Sequence, residues 1–127
     1  MNILLISQKR KIFFPKVKEV NNIISISKYV SHIHRNYLTD VIIVDESVDE
    51  INIQRIRSDF EEAIIIGIGP NKKYILDFGL NAYLQTPYTT EQLFQTITLG
   101  GLTHYLLVTF PLDKDKDKVE KKHIFCL

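Results

Sequence analysis

Asp40-Val41-Ile42-Ile43-Val44-Asp45-Glu46-Ser47 is the stretch of sequence that decides the fold. Its four branched aliphatic residues run without a polar break and then stop at a carboxylate. A short continuous run of Val and Ile predicts a strand buried on both faces, as in the middle of a parallel sheet. In open parallel sheets the chemistry lies outside the carboxyl ends of the strands. Asp45 is placed there, and it is therefore the first candidate site residue.

Similar short apolar runs predict four more strands, at Ile3–Ile6, Ile23–Ile26, Ala63–Ile66 and Ala82–Leu84. Helical spacing and capping boxes predict helices between and after them. These helices are Pro15–Val20, Tyr29–Tyr37, one with Ser47 as its N-cap, Lys72–Phe78, and one that opens at Thr89 and ends before Gly100-Gly101. Strands that alternate with helices predict a flavodoxin-like three-layer α/β/α sandwich. We expect its sheet to be parallel and five-stranded, in the order 2-1-3-4-5.

The last 27 residues do not continue this rhythm. Tyr105–Phe110 is apolar and β-prone, Asp113–Lys118 alternates Asp with Lys, and His123–Leu127 is mostly apolar. The charged middle is typical of a solvated loop, and its apolar flanks require cover. We therefore predict a main domain over residues 1–100 and a C-terminal extension over 101–127, either a hairpin or an added helix with a charged loop.

The composition excludes several classes of protein. The chain has 127 residues, 45% of them hydrophobic and 24% charged, with a net charge of +1. These values are typical of a globular domain and give no bias towards nucleic acid or an anionic membrane. Its single cysteine, Cys126, excludes an internal disulfide. No apolar run approaches the ~20 residues of a membrane span, so we expect a cytoplasmic protein.

One segment resembles a known family. Gly79-Leu80-Asn81-Ala82-Tyr83-Leu84-Gln85-Thr86-Pro87-Tyr88-Thr89-Thr90-Glu91-Gln92-Leu93 is similar to the closing segment of response-regulator receiver domains, typically Gly-Ala-x-Asp-Tyr-Leu-x-Lys-Pro-Phe-Ser-x-Glu-x-Leu. The strand from Asp40 to Asp45 resembles the family's Asp-[apolar]4-Asp, whose last Asp accepts a phosphoryl group from a histidine kinase. The resemblance covers residues 1 to about 99. It implies a module of two-component signal transduction, with Asp45 as phospho-acceptor candidate and a cis peptide before Pro87.

The departures from the family's pattern concern the chemistry. Receivers hold Mg²⁺ with an acidic pair after the first strand, and Ser7 and Gln8 occupy those positions here. A hard cation prefers several carboxylate oxygens, so we expect no metal and no other cofactor. The family's lysine before the proline is Thr86 here, and the hydroxyl residue after the fourth strand falls near Gly67. Only Asp45 and the aromatic Tyr83 match, which indicates an atypical or pseudo-receiver.

Asp45 admits a second interpretation. A carboxylate at a strand end often caps the next turn or pairs with a nearby cation. Lys9 or Arg10 lies in the basic run after the first strand and is predicted to neutralise Asp45 where the metal would sit.

Other motifs are weak. The basic run Lys9-Arg10-Lys11 is a common solvated face, and Gly67-Ile68-Gly69-Pro70 lacks the pattern of a nucleotide loop. His32 and His34 are two residues apart, so a helix would point them to different faces.

The sequence therefore favours a protein that is not an enzyme and that acts by phosphorylation-independent protein–protein interaction or dimerisation. In receivers the face built from the fourth helix, fifth strand and fifth helix commonly serves this purpose. We name this the predicted interaction face, and its residues here are Tyr74, Phe78, Tyr83, Tyr88 and Gln92. No direct contact with nucleic acid or membrane is expected. The alternatives are a working receiver phosphorylated on Asp45 with a non-standard pocket, and a flavodoxin-like binder of a small molecule or nucleotide.

Overall fold

The computed structural model describes residues 1–70, 79–109 and 125–126. The elements in chain order are β1 (Asn2–Ile6), β2 (Asn22–Ile26), α1 (Ser31–His34), β3 (Val41–Asp45), α2 (Glu50–Asp59), β4 (Ile64–Gly69), β5 (Ala82–Gln85), α3 (Thr90–Thr109) and β6 (Phe125–Cys126). All strand pairs are parallel. The sheet order is β2-β1-β3-β4-β5-β6, which confirms the predicted order 2-1-3-4-5 and adds a two-residue strand beside β5.

The central strand β3 is buried along its whole length, as its apolar run predicts. Side chains alternate across a strand, so Ile42 and Val44 enter one core and Val41 and Ile43 enter the other. The first core is completed by α2 and by the segments beside α1 and α2, with Tyr29, Ile53, Ile56 and Phe60 among its members. The second core is completed by Leu93 and Ile97 of α3 and by Ile12 and Phe14 of the loop after β1.

The predicted helix at Pro15–Val20 is wrong, because the segment between β1 and β2 contains no helix. Phe14 is instead buried as a loop residue and packs edge-on against Phe94, with ring centroids 5.8 Å apart. The loop thus fills the space where a helix would pack. The predicted helix at Tyr29–Tyr37 is also overextended, since α1 is a single turn.

The two predicted capping boxes have different outcomes. At α3, the Thr89 N–H donates to Gln92 Oε1 at 2.9 Å and the Gln92 N–H donates to Thr89 Oγ1 at 3.1 Å, so this box is confirmed. At α2 the N-cap is Asp49, whose carboxylate accepts from the Asn52 N–H at 2.8 Å. Ser47 was wrongly predicted as this cap.

α3 does not end at Gly100-Gly101 as predicted, and the predicted domain boundary at residue 100 falls inside this helix. The glycines serve close packing. A Cβ on Gly100 would lie 2.9 Å from Ile64 Cγ2, and one on Gly101 would lie 3.2 Å from Ile64 Cδ1. The pair therefore allows α3 to approach β4 closely. The predicted helix at Lys72–Phe78 and most of the predicted extension lie outside the described residues.

Candidate functional site

Asp45 and Ser7 come together at the carboxyl end of the sheet. β1 and β3 are neighbours in register, with Ile6 opposite Val44, so the next residue of each strand is adjacent. The Ser7 hydroxyl donates a hydrogen bond to Asp45 Oδ2 at 2.5 Å. Both side chains are buried, and Asp45 is only 3% exposed. One carboxylate oxygen is therefore engaged by Ser7.

Ser47 engages the other oxygen of Asp45. Its backbone N–H donates to Asp45 Oδ1 at 3.0 Å, and its hydroxyl donates to the same atom. The Ser47 hydroxyl also accepts from the Gln8 N–H at 2.8 Å. Asp45 thus organises the turn that follows its own strand, and Gln8 contributes through its backbone while its side chain is exposed.

The basic loop after β1 supplies a cation. Ser7 Oγ accepts from the N–H groups of Lys9 at 3.2 Å and Arg10 at 3.1 Å, which turns the loop back over the sheet. Arg10 Nε then lies 3.6 Å from Asp45 Oδ2, and its terminal nitrogen donates to Glu46 Oε1. Lys9 Nζ lies 4.0 Å from the same Glu46 oxygen. The geometry thus places Arg10 beside Asp45, and Lys9 contacts Glu46.

Glu46 was not identified from the sequence as a site residue. Its Oε2 atom is buried without a hydrogen-bond partner among the described residues, and it lies against Gly69 together with the Tyr83 hydroxyl. A Cβ on Gly69 would lie 2.8 Å from that hydroxyl and 3.1 Å from Glu46 Oε2. The position of Glu46 directly after Asp45 is the feature of the sequence that could have identified it as a site residue. Within residues 1–70 and 79–109, no three metal-ligating side chains gather in one group.

The remaining predicted pocket residues are dispersed. Gly67 is buried within β4, paired with Val44 and Tyr83. Thr86 is partly buried and Pro87 is exposed, and the peptide between them is cis as predicted.

Among the described residues, fewer members of the predicted interaction face lie at the surface than the sequence predicts. Tyr83 is 1% exposed and belongs to the core, so its assignment to a surface is wrong. Tyr83 lies on β5 between β4 and β6, and its side chain enters the first core, which the local motif does not show. Tyr88 is half-buried against the second core, and burial raises its pKa. Gln92 is exposed but is used in the capping box of α3. Tyr74 and Phe78 lie outside the described residues.

A second polar cluster, missed by the sequence reasoning, lies at the amino end of the sheet. Arg57 donates to the carbonyls of Gly79 at 3.0 Å, Phe60 at 3.2 Å and Ala63 at 2.8 Å, and to Asn81 Oδ1 at 2.5 Å. Asn81 Oδ1 also accepts from the Ile65 N–H at 2.8 Å. Burial lowers the pKa of Arg57 to about 10.

His104 of α3 completes this amino-end cluster. Its Nδ1 atom lies 3.5 Å from Asn81 Nδ2, and its buried Nε2 has no partner among the described residues. Burial, followed by the charge of Arg57, lowers the pKa of His104, while Glu62 acts in the opposite direction. The histidine is therefore held neutral beside a buried guanidinium.

Comparison with known proteins shows a similarity of fold. No family model matches the chain, and no curated protein matches it. Among the described residues, no helix has the length and apolar character needed to cross a membrane. One solved structure is similar: the signal receiver domain of an HD domain-containing protein from Pseudomonas fluorescens Pf-5. It aligns with a TM-score of 0.60 and 10% identity over 86% of this chain and 92% of that one. This chain therefore has the fold of a signal receiver domain.

Proposed function

We propose that this chain is a receiver-like signalling module that acts through protein contacts without accepting a phosphoryl group. The observation that carries the proposal is the environment of Asp45. Both carboxylate oxygens accept hydrogen bonds from serines, and Arg10 Nε lies 3.6 Å from one of them. A nucleophilic carboxylate needs a free oxygen that faces the phosphorus in line.

The charge requirement supports the same conclusion. Phosphoryl transfer depends on a metal ion that neutralises the negative charge between donor and acceptor. Such an ion prefers several carboxylate and water oxygens. Here the neighbours of Asp45 are Ser7 and Ser47, and the nearby acid Glu46 is paired with Arg10 and Lys9. A guanidinium fixed to the chain therefore supplies the positive charge, and it also repels a divalent cation.

The proposal is tested with a small-molecule phosphodonor. The protein is incubated with acetyl phosphate and Mg²⁺ beside a working receiver domain as positive control, and intact mass is measured. We expect no added phosphoryl group and no measurable Mg²⁺ affinity in the millimolar range. A gain of one phosphoryl group that disappears in Asp45→Asn would instead establish a working receiver with an unusual pocket.

The same Mg²⁺ binding measurement on Arg10→Ala tests the role of the guanidinium group. If the guanidinium excludes the metal, the variant should bind Mg²⁺ more tightly than the wild type. Lys11→Ala removes a cation from the same loop for which no contact with Asp45 or Glu46 is observed, so it is the matched control. Equal Mg²⁺ affinities for all three proteins would remove Arg10 from the explanation.

The predicted interaction face remains a proposal for the docking of a protein partner. Its described surface consists of Tyr88 and the first turn of α3 around Gln92. Substitution of Tyr88 with Ala is expected to weaken partner binding more than substitution of the exposed Gln95, which lies one turn further along α3.

A further inference from the structure

The edge of the sheet opposite the predicted interaction face is formed by β2 in the part of the chain that the structure describes. β2 pairs with β1 on one side, and no described segment pairs with its other side. At the far edge, β5 is paired with β6. Unpaired edges are commonly protected by Lys, Pro or a bulge. Residues 22–26, Asn-Ile-Ile-Ser-Ile, contain neither residue and keep a continuous register with β1.

The helical cover over this edge is also reduced. α1 is one turn long, and the loop that follows it carries Leu38, which is 85% exposed. Ile24 of β2 is 39% exposed although it points to the same face as the buried Leu4 opposite it. A cavity of about 320 Å³ opens between them, lined by Leu4, Ile24, Tyr37 and Leu38 among others. A cleft lined by both apolar and polar side chains thus runs beside the outer edge of β2, which no described segment pairs.

The backbone of β2 specifies how another strand would pair with it. The Ile26 carbonyl accepts from the Ser7 N–H at 3.2 Å, so the backbone groups of Ile26 face β1. Because these groups alternate along a strand, those of Ile23 and Ser25 face outwards. In an antiparallel pair, two opposite residues whose backbone N–H and C=O groups face each other exchange two hydrogen bonds.

We propose that a second copy of this chain occupies this edge, with the two β2 strands antiparallel about a two-fold axis at Ile24. Ile23 of each copy then forms a hydrogen-bonded pair with Ser25 of the other. Ile24 meets Ile24 of the second copy as a non-hydrogen-bonded pair, in which side chains approach most closely. The exposed apolar residues of both copies, Ile24 and Leu38, are covered by the same contact.

The absence of charge along β2 allows a second copy to pair in this orientation. Residues 22–26 carry no charge, so self-pairing places no like charges opposite one another along the strand. Outside the strand, Glu19 precedes it and Lys28 follows it, and both are exposed. Antiparallel pairing about Ile24 places Lys28 of each copy opposite Val20 of the other, with the exposed Glu19 and Lys18 one and two positions further along. A parallel arrangement would instead place Lys28 beside Lys28. The contact is isologous, as two-fold dimers require.

This inference goes beyond the proposed function, because it concerns the opposite edge of the sheet and the dimer does not depend on the state of Asp45. Sedimentation of the full chain over a concentration series should show a species of twice the 14.8 kDa monomer mass. Ile24→Lys should raise the dimer Kd by roughly a hundredfold, because two buried isoleucines are lost per dimer and two ammonium groups face each other. Ile51→Lys is the matched control, since Ile51 is 68% exposed on α2 and should leave the Kd unchanged.

Disulfide trapping tests the register directly. In a Cys126→Ser background whose sedimentation matches the wild type, Ile24→Cys should form a covalent dimer on mild oxidation. Ser25→Cys should not, because its neighbour in the second copy is Ile23. A monomer at every concentration, equal effects of Ile24→Lys and Ile51→Lys, or preferential crosslinking through position 25 would overturn the proposal. Phosphorylation of Asp45 in the acetyl phosphate experiment would overturn the proposed function and leave this dimer unaffected.

Discussion

The two ends of the sheet hold buried charges of opposite sign in different ways. At the carboxyl end, Asp45 is met by two serines and by Arg10, whose side chain is 46% exposed. At the amino end, Arg57 is met by backbone carbonyls and by Asn81, and no carboxylate of the described residues pairs with it. A charged group such as Arg57, whose hydrogen bonds go to backbone carbonyls near the first residues of β4 and β5, contributes to the structure of the domain. A charge paired with a half-exposed side chain is easier to release, so we expect the amino-end cluster to contribute more to stability than the carboxyl-end contacts.

Arg57→Ala should therefore have the largest effect on stability. It leaves the part-buried carbonyl of Ala63 and the part-buried side chain of Asn81 without this donor, and it removes a bond to the exposed Gly79 carbonyl. Unsatisfied buried polar groups cost about 1–3 kcal/mol each, and we expect the free energy of unfolding to fall by about 2–4 kcal/mol. Urea denaturation measures this. Arg55→Ala, at an exposed position of the same helix, should change it by less than about 0.5 kcal/mol. Similar losses for both variants would show that the amino-end cluster is not structural.

Asp45→Asn should have a smaller effect, about 1–2 kcal/mol, because hydrogen bonds to a charged acceptor exceed neutral ones by roughly that amount. The asparagine keeps one acceptor for Ser47, but its amide group opposes the Ser7 hydroxyl or Arg10. Urea denaturation of Asp45→Asn beside Asp40→Asn checks this, since Asp40 lies at the amino end of the same strand and accepts an exposed bond from the Asn2 N–H. A loss larger than that of Arg57→Ala would reverse the assignment of the two ends.

Stability should fall on acidification from the unfolded-state pKa of histidine, about 6.5, towards the lower folded-state pKa of His104. Burial and Arg57 lower that pKa, so the unfolded chain binds the proton more readily. The stabilising contribution is complete above the unfolded pKa of about 6.5 and is lost as the pH falls below it. His34 contributes in the same direction, because burial lowers its pKa and its Nδ1 accepts from the Val30 N–H at 2.8 Å.

Unfolding free energies measured by urea at several pH values check this expectation. His104→Gln should reduce the slope, and the double variant with His34→Gln should reduce it further. An unchanged slope in the double variant would show that neither imidazole is responsible.

The strand pattern was predictable because β3 and its neighbours are apolar on both faces, and burial on both faces is a local signal. The candidate site was only partly predictable. Asp45 follows directly from the end of its strand, whereas the contact with Arg10 depends on how Ser7 turns the loop, through hydrogen bonds that the sequence does not display. Arg57 and Asn81 are 24 residues apart and meet only when β4 and β5 are paired. Such long-range polar contacts have no periodicity to reveal them.

The helix errors have a similar origin. The segment before β2 has apolar residues that suit a helix, but Phe14 and Ile12 reach the second core from an irregular loop. Gly100-Gly101 has the form of a helix end, yet packing against Ile64 makes the glycines useful inside the helix. In each case tertiary packing overrides the local preference.

The smallest change in stability should come from Arg10→Ala, although it alters the carboxyl end most directly. Its ion pairs are half-exposed, and such pairs contribute about 0–1 kcal/mol. Asp45 keeps its bonds from Ser7 and Ser47 in this variant, so the fold should persist. A double-mutant cycle of Arg10→Ala with Asp45→Asn, measured by urea denaturation, isolates the pair itself. We expect a coupling free energy below about 1 kcal/mol, in contrast to a larger coupling between Arg57→Ala and Asn81→Ala. A coupling at the carboxyl end that equals or exceeds the one at the amino end would mean that Arg10 is a structural lock, as Arg57 is.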